Sequence, residues 1–129
     1  MRADTQEWVR CAEEDYSAAS ALMVSRRKHL AAAICFHVQQ CVEKYLKARL
    51  AEGGLPVPQV HSLLVLLNQV LPLEPLWSAF HSSLDQLHHY AVHVRYPGHQ
   101  ATRGQARVAM RICRSLRKEV RLALGLPAK

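Results

Sequence analysis

The chain has 129 residues, half of them apolar, and a formal charge of +7. That size and apolar content predict one domain around one hydrophobic core, and the charge biases partners toward polyanions or acidic protein surfaces. No apolar run reaches about 18 residues, so no membrane span is expected, and the opening MRADTQEW lacks the apolar centre of a signal peptide. Cys11, Cys35, Cys41 and Cys113 form no C-x-x-C pair, which argues against structural zinc and for reduced core thiols. A cytoplasmic protein without a cofactor is the expectation.

A first helix is predicted from about Asp4 to Ser25, with Asp4 and Glu7 as a capping box. Trp8, Cys11, Ala12, Tyr16, Ala19 and Met23 lie on its core side. A second helix runs from about Lys28 and stops at Gly53-Gly54, reinforced by Pro56. Within it Ile34, Cys35, Val38, Cys41, Val42, Tyr45, Leu46 and Leu50 cover well over half the circumference at about 100° per residue. A helix that apolar packs against several neighbours at once. Gln39 and Glu43 nevertheless fall beside Leu46 and Leu50, while Gln40, Lys44 and Lys47 mark the wet face. A buried amide and carboxylate require polar partners inside the fold. His61, just before a short helix from Leu63 to Val70 that Ser62 can cap, is the expected buried donor to Gln39 or Glu43.

A long helix is expected from about Leu76 to Val94, ended by Pro97-Gly98. A last helix opens on a capping box of Thr102 and Gln105 and closes at Gly125. No repeat, low-complexity tract or strand-like alternation interrupts this order. The fold class is all-α: an antiparallel up-down four-helix bundle with a short additional helix.

Charge is most ordered in the last helix. Arg103, Arg107, Arg111, Arg114, Lys118 and Arg121 recur every three or four residues on one stripe, with Arg117 at its edge and Val108, Ile112, Leu116 and Val120 opposite. A solvated helix face mixes signs for pairing one turn apart, whereas Glu119 is the one acid between Arg103 and Arg121. Phosphate contact with RNA or nucleotide, or with an acidic partner protein, fits this one-sign face. The long helix is rich in histidine. His81, Asp85 and His88 cluster on one side, a spacing that could ligate a metal, but a helix with titrating surface imidazoles explains the same pattern and no metal is expected. His89 and His93 form a separate pair further round.

The segment Phe36, Gln39, Gln40, Glu43, Lys44, Leu46, Lys47, Ala48 follows F-x-x-Q-Q-x-x-E-K-x-L-K-A. With Trp8 and Asp15 before it, and His61 with its leucine run and Arg95-Tyr96-Pro97 after it, the chain resembles the HEPN domain family over nearly its whole length. The resemblance implies a homodimer. Many HEPN domains are metal-independent RNases that use an Arg and a His with roughly four to six residues between them, the His moving protons and the Arg stabilising the phosphorane. Here Arg95 and His99 enclose three residues, and Pro97-Gly98 breaks the helix between them. The Arg-Tyr-Pro form instead resembles a branch commonly encoded beside a minimal nucleotidyltransferase and usually without the nuclease signature. Where that branch often has Asp, this chain has Gly98 and Ser62. The resemblance therefore implies a non-catalytic binding module, partner subunit of a nucleotidyltransferase. Arg95 and Tyr96 would contact nucleotide or RNA, by forked phosphate binding and by stacking. The same three residues, Arg95-Tyr96-Pro97, also suit simple helix termination. The alternatives are a toxin-like RNase using Arg95 and His99, and a structural dimerisation module with no ligand.

Overall fold

A computed structural model describes residues 1–25, 27, 30–93, 97 and 100–129, with 91–93 as backbone. Five α-helices are present: α1 Ala3–Val24, α2 Ala31–Glu52, α3 Leu63–Val70, α4 His81–His93 and α5 Arg103–Ala123. No strand occurs among the described residues. The end of α2 returns to the start of α1, where Glu52 accepts the Arg2 backbone N–H at 3.0 Å. The start of α5 lies at the other end of α1, where Arg103 donates to the Met23 carbonyl at 2.6 Å. Both α2 and α5 therefore run opposite to α1, in the up-down order of an all-α bundle.

The breadth of α2's apolar surface has its physical counterpart in packing: α2 touches α1, α3, α4 and α5. Ile34, Val38, Tyr45, Leu46 and Leu50 have no accessible surface. Cys35, Cys41 and Cys113 are free thiols inside this core. Burial pushes the Cys35 thiol up to about 11, and contact with Cys113 together with burial raises Cys41 well above its ordinary value. Thiols held protonated in this way are poor nucleophiles.

Local chemistry sets most boundaries. Ser62 accepts the Val65 N–H to start α3, and Thr102 and Gln105 exchange both bonds of a capping box at the start of α5. Gly54 (φ +70) ends α2 with Leu55 N–H on Leu50 O and Gly54 N–H on Ala51 O. Gly125 (φ +76) repeats the arrangement after α5 with Leu126 N–H on Arg121 O. Left-handed backbone at these two positions is the conformation glycine adopts without steric cost.

Three features differ from expectation, two of them helix boundaries. The Asp4–Glu7 capping box does not form: Arg2 stands at the N-cap without a side-chain capping bond, Asp4 accepts from Thr5 N and Arg2 Nε, and Glu7 pairs with Arg10. The start of α1 is held from a distance instead, because Glu52 accepts both the Arg2 N–H and the Thr5 hydroxyl. The segment expected as one helix from Leu76 begins as a 3-10 helix, Pro75–Phe80, and becomes α-helical only at His81. Pro75 at its first turn and the bond from Trp77 N–H to Glu74 O select the tighter winding, which turns Trp77 into the core. Lys47, placed by periodicity on the wet face, is buried. It sits 5.4 Å from the Trp8 ring centre and 3.1 Å from Oε2 of Glu43.

One polar junction ties three helices together. Glu13 of α1 takes both ends of the Arg117 fork of α5 at 2.7 Å and accepts the Tyr45 hydroxyl of α2. Arg121 donates to Tyr45 Oη at 3.1 Å, and Arg117 also lies over the Tyr16 ring at 4.1 Å. Burial alone would raise the Glu13 carboxyl, but the bonds from Arg117 and Tyr45 outweigh it and hold it below the ordinary carboxylate range. Its contribution to stability is therefore complete above the ordinary carboxyl pKa of about 4.3 and is lost as pH falls through the lowered folded value.

Removing the carboxylate strands a buried guanidinium. Because Glu13 is itself 32% exposed, Glu13→Ala is expected to cost about 2 kcal/mol, below the range for fully buried pairs. Urea unfolding measures this. The same titration run from neutral pH into acid should show a smaller loss of midpoint for Glu13→Gln than for the parent chain, and equal losses would contradict the junction's role.

Candidate nucleic-acid interface

The junction divides α5 into two sets of cations. Arg103, Arg117 and Arg121 are engaged with protein: Arg103 with the Met23 carbonyl, Arg117 with Glu13, and Arg121 with Tyr45 and the Pro127 carbonyl. Arg107, Arg111, Arg114 and Lys118 are exposed and make no ion pair among the described residues. Helical geometry places these four within an arc of about 60° and along about 16 Å of the helix. Glu119 lies off that arc. Like charges held together on a folded helix repel one another, and nothing on this face relieves them, so an anion with several phosphates would neutralise the whole row.

Beside the row, α4 and α5 enclose a groove of about 300 Å³ lined by Phe80, Ser83, Gln86, Val108, Arg111, Ile112 and Ser115. Arg111 belongs to both features. A larger cavity of about 400 Å³ lies between the end of α2 and α3, but its lining is Leu50, Leu55, three prolines and Gln69, with no charge.

The polar residues of α2 resolve into two clusters. Glu43 is buried with Lys47, and His61 places Nδ1 3.1 Å from Glu43 Oε1. The expected bond is present, but the imidazole is 81% exposed rather than buried: it reaches the carboxylate from the surface. Gln39 is buried and its Oε1 has no hydrogen-bond partner, so His61 serves Glu43 and leaves Gln39 unserved. In the second cluster buried Asp15 accepts from Lys44 Nζ at 2.6 Å and lies 2.9 Å from His37 Nδ1. Periodicity alone did not single out His37 or Glu13. Glu13 lies about 100° round α1 from Ala12, off the core side that periodicity marks, so only its contact with α5 reveals it.

His81, His88 and His89 of α4 do not converge; the His93 side chain lies outside the described residues. Asp85 faces His89 Nε2 at 3.7 Å, His88 and His89 meet edge to face, and His81 is exposed. Among the described residues no three His, Cys, Asp or Glu side chains form a metal-binding group, so His81, Asp85 and His88 are not brought to one point. Arg95, Tyr96 and His99 lie outside the described residues.

These features define an all-α bundle with a buried carboxylate-lysine pair on its central helix and a basic last helix. The family model described as HEPN domain matches residues 5–123, and the chain belongs to that family. No curated protein and no solved structure matched it. Among the described residues no helix is long and apolar enough to cross a membrane.

The unequal satisfaction of Gln39 and Glu43 gives a direct test. Gln39→Met removes an unpartnered buried oxygen at similar volume and is expected to stabilise by about 1 kcal/mol. Glu43→Leu leaves Lys47 buried without its carboxylate and should cost about 3 kcal/mol. Thermal melts of the two variants should move in opposite directions.

Proposed function

We propose that this HEPN protein acts by binding rather than cleavage, as a homodimeric partner subunit of a nucleotidyltransferase that holds RNA or nucleotide phosphate on α5. The observation that carries the reading is the row of Arg107, Arg111, Arg114 and Lys118, which is exposed and without an ion pair among the described residues, while the other arginines of the same helix are engaged by the fold. Phosphate oxygens match guanidinium forks in geometry and charge. The partner assignment is supported by the Arg95-Tyr96-Pro97 form and by the three-residue gap between Arg95 and His99, too short for the family's nuclease pattern. Arg95 and Tyr96 would add a phosphate contact and a stacking side chain.

Incubating the full chain with structured and single-stranded RNA, chelator present and His99→Ala alongside, tests this. Intact RNA, retained with a log–log salt slope of about −3 for four contacts to a single strand, is the expected result. The triple variant Arg107→Glu, Arg111→Glu, Arg114→Glu should lose retention with a nearly unchanged unfolding midpoint, because these side chains are exposed and make no ion pair among the described residues. Cleavage that disappears in His99→Ala would replace the proposal with a metal-independent RNase. Intact but unretained RNA would reassign the α5 face to an acidic protein surface.

A further inference from the structure

A row of cations holds a phosphate backbone of any sequence, but the groove beside it has a different chemistry. Its walls combine the Phe80 ring and the aliphatic side chains of Val108 and Ile112 with the hydroxyls of Ser83 and Ser115 and the amide of Gln86. Gln86 donates its Nε2 to Tyr90 Oη at 2.7 Å, which fixes the amide and leaves its oxygen available as an acceptor. Arg111 stands at the meeting of groove and row. An apolar wall with an aromatic ring, donors and acceptors beside it, and a cation at one side, suits a planar heterocycle that carries a phosphate. At about 300 Å³ the space is at the small end of ligand-binding clefts, and it is enough for a base.

We infer that the groove between α4 and α5 receives a single unpaired nucleobase of a single-stranded RNA whose phosphates lie along Arg107, Arg111, Arg114 and Lys118. The inference rests on the proposed binding of RNA by α5 and adds a base-dependent element to it. Bases in a duplex are stacked away from such a groove, whereas an unpaired base can turn out of the strand, stack on an aromatic ring and present its edge to hydroxyl and amide groups. Arg111 would hold the phosphate next to the inserted base and so set the register between groove and row.

The test compares a short oligoribonucleotide with an abasic strand of equal length and charge, using the full chain and fluorescence anisotropy. The base-bearing strand is expected to bind about ten-fold more tightly, the contribution of one stacked base. Ser83→Leu with Ser115→Leu fills the groove without altering charge and should reduce that preference to parity while leaving the abasic affinity unchanged. Phe80→Leu, which keeps an apolar side chain where Phe80 packs on the core but removes the ring, should reduce the preference as well. Equal binding of the two strands by the parent chain overturns the groove assignment and leaves the phosphate row standing. Retention of the preference in both groove variants places base recognition elsewhere and also overturns it. Failure to bind either strand removes both the groove and the proposed RNA-binding function of α5.

Discussion

The bond between Glu13 and Arg117 is the constraint on which the arrangement of this molecule depends. A bidentate ion pair fixes rotation as well as distance, because both nitrogens of the fork must meet both oxygens of the carboxylate. With Arg117 turned inward and Arg121 drawn to Tyr45, α5 has one permitted azimuth. Arg107, Arg111, Arg114 and Lys118 are then committed to solvent, and Val108 and Ile112 are set against α4. The exposed row and the neighbouring groove follow from this contact at the edge of the stripe together with the burial of Ile112, Leu116 and Val120 opposite.

The interior of α2 shows the same economy of position. Family resemblance in this segment rests on polar residues within an otherwise apolar helix, and the structure gives most of them partners: Glu43 with Lys47 and His61, Lys44 with Asp15. Buried polar groups specify orientation because few alternative packings satisfy them. Gln39 departs from this pattern, with a buried oxygen that no hydrogen-bond donor among the described residues meets.

Much of the fold was legible because its signals are local. The Thr102–Gln105 box, the Ser62 cap and the left-handed glycines each depend on residues within one turn, and periodicity alone placed the apolar faces of α2 and α5. What sequence spacing did not show was set by contacts distant in the chain. Lys47 looked solvated until Trp8 of α1 covered it, and Asp4 looked like half of a cap until Glu52 supplied the bonds from the end of α2. On α5, seven cations shared one apparent face. Only Glu13, more than a hundred positions away, separates Arg117 from the exposed set. The groove had no sequence signature at all, since Phe80, Ser83 and Gln86 acquire meaning only opposite α5.

The bond network around Glu52 bears on the order in which the chain becomes ordered. An isolated helix nucleates poorly and depends on bonds within its own first turn. The start of α1 lacks such a cap, and its Thr5 hydroxyl and Arg2 amide find their acceptor nearly fifty residues later. The two bonds to Glu52 can form only once the end of α2 lies alongside the start of α1. Substitutions at Thr5 are therefore expected to accelerate unfolding more than they slow folding, a low φ value.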